Sequence, residues 1–255
     1  MKVGIIGAGN IGGTLALLLI SKNIVSEISL IDIKDGLAEG RALDLKTLSV
    51  ILNRDILVKG SNEYSIIKDF DIVVITAGIT RKVGQSRDDL LSINTNIVGD
   101  AAKLIAKFAP HSTIIIVTNP LDTLTFHAYK MSGFKSVKVI GMAGELDSAR
   151  AKIALASLSQ ISPLKANAFV LGTHDENMTV TPNFVANETK NAGTKITKLT
   201  GTSAYFAPAG AVYKMIYALK YGGEIICSVI DEENNIAYGR RAELGEYKIL
   251  NVKNS

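Results

Sequence analysis

The sequence has one cysteine, Cys227, and no tryptophan. A lone cysteine excludes an intrachain disulfide, so packing alone must hold the fold, and it suits a reducing cytoplasm. No long hydrophobic run is present. The stretch Leu15–Ile20 is too short to span a bilayer, and Met1-Lys2-Val3 runs directly into a strand. Neither a signal peptide nor a membrane helix is expected. Charge of one sign is scarce as well: 28 basic against 24 acidic residues leave a net charge of +4. The lysines are scattered, with no basic run interleaved with aromatics, which argues against nucleic acid as a partner. Internal repeats and low-complexity linkers are absent. With 255 residues, 47% of them hydrophobic, the chain can bury a sizeable core as one large domain or two modest ones. Its mild positive field suits a small anionic substrate without identifying one.

The most informative feature is at the start. An apolar run, Val3 to Ile6, leads into Gly7-Ala8-Gly9-Asn10-Ile11-Gly12, then an apolar helical stretch, then a second strand-like run, Ile28–Ile31, that ends on Asp32. Strand, glycine turn, helix, strand and terminal acid is the order that binds a dinucleotide. The first glycine allows the tight turn, the second lets the backbone approach a pyrophosphate, and the third lets helix and strand pack closely. The helix N-terminus offers N–H groups and partial positive charge to the phosphates. Asp32 is placed to accept hydrogen bonds from a ribose diol and would repel a 2′-phosphate, so NAD is expected over NADP.

The first half of the chain alternates strand-like and helix-like segments. Ile28–Ile31, Ile72–Thr76, Ile114–Val117 and Val137–Ile140 are short β-branched runs of the kind buried in parallel sheets. Between them, Leu90, Leu91, Ile97, Val98, Ala101, Leu104, Ile105 and Phe108 recur at helical spacing, with Ser86 and Asp89 at the start and Pro110 at the close. The expectation is a doubly wound, parallel α/β (Rossmann) domain over residues 1–140. The second half reads as helices near 146–158 and 207–221, a strand at 166–171, and an antiparallel pair, Glu224–Ile230 and Ile236–Leu244. That mixture predicts an α+β substrate domain over 141–255.

Four further groups can carry chemistry. The loop 76–89 follows a strand end and holds Arg81 and Arg87, six residues apart; arginine forks match carboxylates, although a solvated surface loop is the plainer reading. Asn119, before Pro120, can contact a ligand at the same crevice or simply cap a helix. Asp147 and Arg150 stand three apart on one helical face, as a site pair or an ordinary ion pair. Of the three histidines, His111, His127 and His174, only His174 combines a loop position with a plausible acid partner, Asp147. An imidazole oriented by a carboxylate can shuttle a proton near neutral pH.

Taken together, these residues resemble a known family. The Gly7–Gly12 turn, Asp32, the 79–89 loop, Thr118-Asn119-Pro120, Gly141–Gly144, Leu146–Arg150 and the 172–178 region occur in one order. In this the chain resembles malate dehydrogenases of the lactate dehydrogenase-like type. The resemblance runs nearly continuously to about residue 174 and then thins. It implies that His174 is the proton donor and acceptor, oriented by Asp147. It implies that Arg150 holds the substrate's C1 carboxylate, that Arg87 on a closing loop polarises the carbonyl, and that Arg81 binds the distal carboxylate. Asn119 would contact substrate, while Asn94 and Val117 would line the NAD site with Gly7, Ala8, Gly9, Asn10, Ile11, Gly12 and Asp32. Partners implied are a small dicarboxylate, malate or oxaloacetate, and further copies of the chain in a dimer or tetramer.

The chain departs from the family pattern after His174. Asp175 stands where the family typically has glycine, which predicts a strained backbone and an extra negative charge that raises the imidazole's pKa. Fewer residues lie between Pro182 and Lys190 than is usual, and the family's last helix is not read before Ser255. Gly201–Pro208 still matches the start of a substrate-side helix. Two other readings use the same residues. One is a lactate-type 2-hydroxy acid dehydrogenase. The other is a dinucleotide-binding protein whose altered second half no longer catalyses.

Overall fold

The computed structural model describes residues 1–79 and 87–253, and of Arg87, Asp88 and Asp89 only their place in a helix. The order of its elements is β1 (Lys2–Ile6), α1 (Asn10–Lys22), β2 (Glu27–Ile31), α2 (Leu37–Ile51), β3 (Leu57–Ser61), β4 (Ile72–Ile75), α3 (Arg87–Phe108), β5 (Thr113–Ile116), α4 (Leu121–Ser132), β6 (Val139–Gly141) and α5 (Gly144–Ser159). There follow β7 (Phe169–Leu171), β8 (Thr179–Thr181), α6 (Ala186–Thr200), α7 (Phe206–Tyr221), β9 (Gly223–Asp231), β10 (Ile236–Gly245) and β11 (Lys248–Val252). The Ser86 cap expected for α3 lies outside the described residues.

Nine of these strands form one sheet in the order β11-β10-β9-β6-β5-β4-β1-β2-β3, and β7 pairs with β8 separately. The central strands are parallel. Val3 pairs with Ile28 and with Ile72, and Ile114 with both Val73 and Val139. Their side chains are buried throughout β4 and β5, as the β-branched runs predict for strands covered on both faces. One core lies between the sheet and α1, α2 and α7, built on residues such as Leu15, Leu19, Leu45 and Met215. A second lies on the opposite face under α3 and α4, around Val98, Ile105 and Leu124. A small third cluster joins α5 to β7 and β8 through Ala151, Val170 and Val180.

The antiparallel pair expected in a separate unit instead extends the main sheet. β9 pairs antiparallel with β6, Ile140 opposite Val229 and Gly141 opposite Ser228, and β10 and β11 continue from it. The reason lies in Ile225-Ile226-Cys227-Ser228-Val229, which is buried on both faces. That is the pattern of an interior strand, not of a hairpin with a wet face. The sheet therefore runs across the boundary expected at residues 140 and 141.

This topology sets the site. Strand order reverses between β1 and β4, and ligands of open α/β sheets bind at the carboxyl ends of the strands flanking such a switch. The glycine turn follows β1, Thr76 follows β4, and Val117 to Asn119 follow β5, all at that edge. Among the described residues no helix is long and apolar enough to cross a membrane.

Candidate active site

The glycine turn is built as its spacing predicts. Gly7 adopts φ +105°, and its N–H donates to the Ile31 carbonyl at 2.7 Å. A Cβ there would lie 2.6 Å from Thr76 Oγ1, and one on Gly12 would lie 2.0 Å from the Gly7 carbonyl oxygen. Gly9 differs, because nothing lies within 4 Å of the position its Cβ would take. That opening faces the start of α1, whose first turn receives no side-chain cap from Gly9. The arrangement fits a dinucleotide pyrophosphate, with free space over the second glycine and N–H groups at a helix start. Asp32 braces the turn: its Oδ2 accepts the Ala8 N–H at 2.8 Å and its Oδ1 the Lys34 N–H at 3.0 Å.

The two glycines should therefore respond differently to a methyl group. Gly12→Ala forces backbone to move and should cost about 1–3 kcal/mol of stability, seen as a lower melting temperature. Gly9→Ala should melt near the parent temperature and yet bind NADH at least roughly tenfold more weakly in a fluorescence titration, since the added group takes space a phosphate needs. Equal NADH affinity in Gly9→Ala would remove the turn from the binding site.

Beside the turn lies a cleft of about 940 Å³. Ile11, Val117, Asn119, Asp147, Arg150 and His174 all line it, so six of the residues expected from sequence meet in one place. Asp147 and Arg150 project from the same face of α5, and Arg150 Nη1 donates to Asp147 Oδ1 at 3.1 Å. His174 Nδ1 lies 2.6 Å from Asp147 Oδ2. The plain ion-pair reading of Asp147 and Arg150 is thus incomplete: the carboxylate is nearly inaccessible, with 2% of its side chain exposed, and is shared between guanidinium and imidazole. Backbone contacts fix the loop that bears His174. Gly172 exchanges two hydrogen bonds with Gly239 of β10 at 2.7 and 2.9 Å, and Ser148 Oγ on α5 accepts the Val170 N–H at 2.9 Å.

Burial pulls the imidazole's pKa down, but the Asp147 hydrogen bond and the charges of Asp147 and Asp122 outweigh it, with Arg150 opposing them. The net direction is upward from the ordinary histidine value. With Nδ1 committed to a carboxylate, Nε2 is the nitrogen left for a ligand.

The structure corrects one expectation at Asp175. Its φ is not among the positive values of the chain, so the glycine-to-aspartate change brings no left-handed strain. Its carboxylate turns back on the loop, where Oδ1 accepts the Thr173 hydroxyl at 2.8 Å and the Asn177 N–H at 2.7 Å. The negative charges that contribute most to raising His174 are those of Asp147 and Asp122. The strain that would have disturbed the His174 loop is therefore absent.

Other expected residues have different surroundings. Asn94 is 1% exposed, and its amide bonds the Ile79 N–H and the carbonyls of Ile79 and Asn119 at 2.8 to 3.1 Å. It clamps the loops after β4 and β5 together and does not border the cleft directly. Asn119 does not cap α4, because Pro120 occupies that position. Arg81 lies outside the described residues, and of Arg87 only its place at the start of α3 is described. Asp122, in the first turn of α4, is a contact that sequence reasoning misses. It accepts the backbone N–H of His174 at 2.6 Å.

Comparison with known proteins gives consistent likenesses. Residues 1–141 match the NAD binding domain of lactate/malate dehydrogenases. The malate dehydrogenase of Salinibacter ruber is 39% identical over 238 residues, 86% of this chain and 76% of that one. Among solved structures, the Archaeoglobus fulgidus malate dehydrogenase in complex with NADH superposes with a TM-score of 0.92 at 33% identity, covering 100% of this chain and 92% of that one. The Eimeria maxima lactate dehydrogenase with NADH and oxamate gives 0.93 at 30% identity, covering 100% of this chain and 86% of that one. Backbone similarity alone therefore does not separate the two substrate classes.

Proposed function

The chain belongs to the lactate/malate dehydrogenase family, and from that premise we propose that it is an NAD-dependent malate dehydrogenase interconverting (S)-malate and oxaloacetate. The observation that carries this reading is the sharing of buried Asp147 between His174 and Arg150 in the cleft beside the glycine turn. NAD fits that turn through Gly7, Ala8, Gly9, Asn10, Ile11, Gly12 and Asp32, with Val117 on the cleft wall. When bound, its nicotinamide ring supplies the hydride acceptor or donor.

The protein's own residues do the rest. Arg150 binds the C1 carboxylate, which both a 2-hydroxy acid and its 2-oxo partner carry. Asn119 bonds the substrate beside it. In malate oxidation, His174 Nε2 takes the proton of the C2 hydroxyl, and Asp147 stabilises the imidazolium that forms. In oxaloacetate reduction the same nitrogen returns a proton to the C2 oxygen. Arg87 stabilises negative charge on that oxygen, and Arg81 pairs with the distal carboxylate. These two arginine roles rest on the Arg81-Lys82-Val83-Gly84 and Ser86-Arg87-Asp88-Asp89 motifs. The curated relatives, named malate dehydrogenases, support the dicarboxylate over a lactate-type substrate.

Arg81→Gln tests the substrate assignment. Removing the cation assigned to the distal carboxylate should cut kcat/KM for oxaloacetate by about 10²-fold or more and raise the pyruvate-to-oxaloacetate ratio. An unchanged ratio would contradict the role. The raised pKa of His174 gives a second test. Oxaloacetate reduction needs imidazolium, so kcat/KM should hold to a pH above the ordinary histidine value of 6.5 and fall beyond it. Malate oxidation needs neutral imidazole and should rise over the same interval. A common midpoint below 6.5 would contradict the assignment.

The proposal extends to a cytoplasmic homo-oligomer. The lone, buried Cys227 suits a reducing compartment. Leu43, Val50 and Ile51 on α2 and Leu17 on α1 are exposed, and surfaces of this kind favour association. Light scattering should give the mass of a dimer or tetramer.

A further inference from the structure

Asp122 has no part in the reaction above, yet it is a partly buried carboxylate in contact with the residue that moves the proton. One oxygen, Oδ2, accepts the His174 N–H at 2.6 Å. The other, Oδ1, accepts the hydroxyl of Ser228 at 2.5 Å. Ser228 is fully buried on β9, paired with Gly141 of β6 and Gly239 of β10. Gly239 is in turn the residue that holds Gly172, two positions before His174. The loop is therefore fastened to the sheet at two points. Asp147 orients the ring from α5, and Asp122 holds the backbone from α4.

Burial of a carboxylate is costly, and here desolvation raises the pKa of Asp122 against the opposing hydrogen bonds from Ser228 and His174. An apolar residue in the first turn of α4 would avoid that cost but would leave the His174 N–H unpaired. The charges that act most on His174 are those of Asp147 and Arg150 from α5 and of Asp122 from α4. On the loop itself, Asp175 accepts from Thr173 and Asn177, and its negative charge adds to the rise of the Asp122 pKa.

We propose that Asp122 is a positioning residue for the acid–base histidine, fixing the backbone that carries the imidazole and placing a second negative charge beside it. The proposal rests on His174 serving as the proton shuttle. Asp122→Asn keeps an oxygen that can accept the N–H and removes only the charge, whereas Asp122→Ala removes both. Both changes make the imidazolium less favoured, and the His174 pKa should fall.

The test is an NMR titration of the imidazole protons in the full chain. With three histidines, the His174 signal is identified by its loss in His174→Gln. In Asp122→Asn the midpoint is expected to drop by roughly one unit. The alkaline limb of oxaloacetate reduction should follow it, while NADH affinity stays within about twofold, because the glycine turn is untouched. Asp122→Ala should lose about tenfold more kcat than Asp122→Asn, since the backbone is also released. If Asp122→Asn fails to fold, the His174 midpoint is read in Asp122→Ala, which also removes the charge. An unchanged His174 midpoint in whichever variant folds overturns the proposal. A wild type that titrates as described but turns over no 2-oxo acid would overturn the dehydrogenase reading instead, since the titration reads the imidazole without substrate.

Discussion

His174→Gln is expected to lower kcat for oxaloacetate reduction by about 10²–10⁴-fold, the range that a positioned general acid contributes. The loss should fall on kcat, and NADH affinity should change little. The geometry gives the reason. Among the described residues, His174 is the one histidine whose Nδ1 meets a buried carboxylate, and its ring borders the cleft. Glutamine approximates the ring's reach and its capacity for hydrogen bonding but cannot take a proton from an alcohol. Asp147 would keep its Arg150 partner, so the fold should survive. Rapid-mixing traces of NADH absorbance separate the chemical step from NADH binding. A variant that retains more than roughly a tenth of parental kcat would mean that the proton comes from another group.

The second large effect is expected at Arg150. Its guanidinium faces both Asp147 and the cleft, with 17% of its side chain exposed. Arg150→Met keeps the length and removes the charge. Hydrogen bonds to charged groups contribute about 1.5–3 kcal/mol each, so losing a two-point carboxylate contact should cut kcat/KM by about 10²–10⁴-fold. Because the C1 carboxylate is common to both, oxaloacetate and pyruvate should suffer alike. That distinguishes the change from Arg81→Gln, which acts on one substrate alone. The pH response supplies an independent sign. Arg150 lowers the His174 pKa, so its removal should move the acid limb of malate oxidation to higher pH, opposite to Asp122→Asn. Asp147 also loses a partner, at a cost of at most about 3–5 kcal/mol, so melting temperature must be read beside the rates. A variant that discriminates between the two substrates would contradict the C1 role.

Much of the dinucleotide half is legible in the sequence because each residue there answers to a local rule. Gly7 and Gly12 are demanded by close backbone approach, and the β-branched runs of β1, β4 and β5 announce strands buried on both faces. Asp32 stands at the expected place, but its carboxylate also holds the Ala8 N–H, which a ribose-centred reading omits. The second half is harder. α6 reads Ala-Asn-Glu-Thr-Lys-Asn-Ala-Gly-Thr-Lys-Ile-Thr-Lys-Leu-Thr, with four threonines and an internal glycine, and its intrinsic helix propensity is poor. Thr189, Thr197 and Thr200 return their hydroxyls to the carbonyl four residues back, and contact with α5 supplies what local preference lacks. β9 is recognisable as a strand, but its place in the main sheet depends on pairing with β6, a contact between segments far apart in the chain.

The site divides along the same line. Asp147 and Arg150 lie on one helix, and their spacing alone is enough to put them on one face. Asp122 escapes notice in the sequence because an acid in a helix's first turn has an ordinary explanation, the favourable charge at the N-terminus. Only the meeting of α4 with the 172–178 loop and β9 gives it another. Asp175 errs in the opposite direction, since a family glycine suggests strain that the backbone of this chain does not have.

The central claim is that this cleft reduces a dicarboxylate 2-oxo acid with NADH. The most direct measurement is NADH consumption by the purified full chain with oxaloacetate and with pyruvate, each over a range of concentrations. The account predicts kcat/KM for oxaloacetate at least roughly 10²-fold above that for pyruvate. Equal values, or a preference for pyruvate, would contradict it.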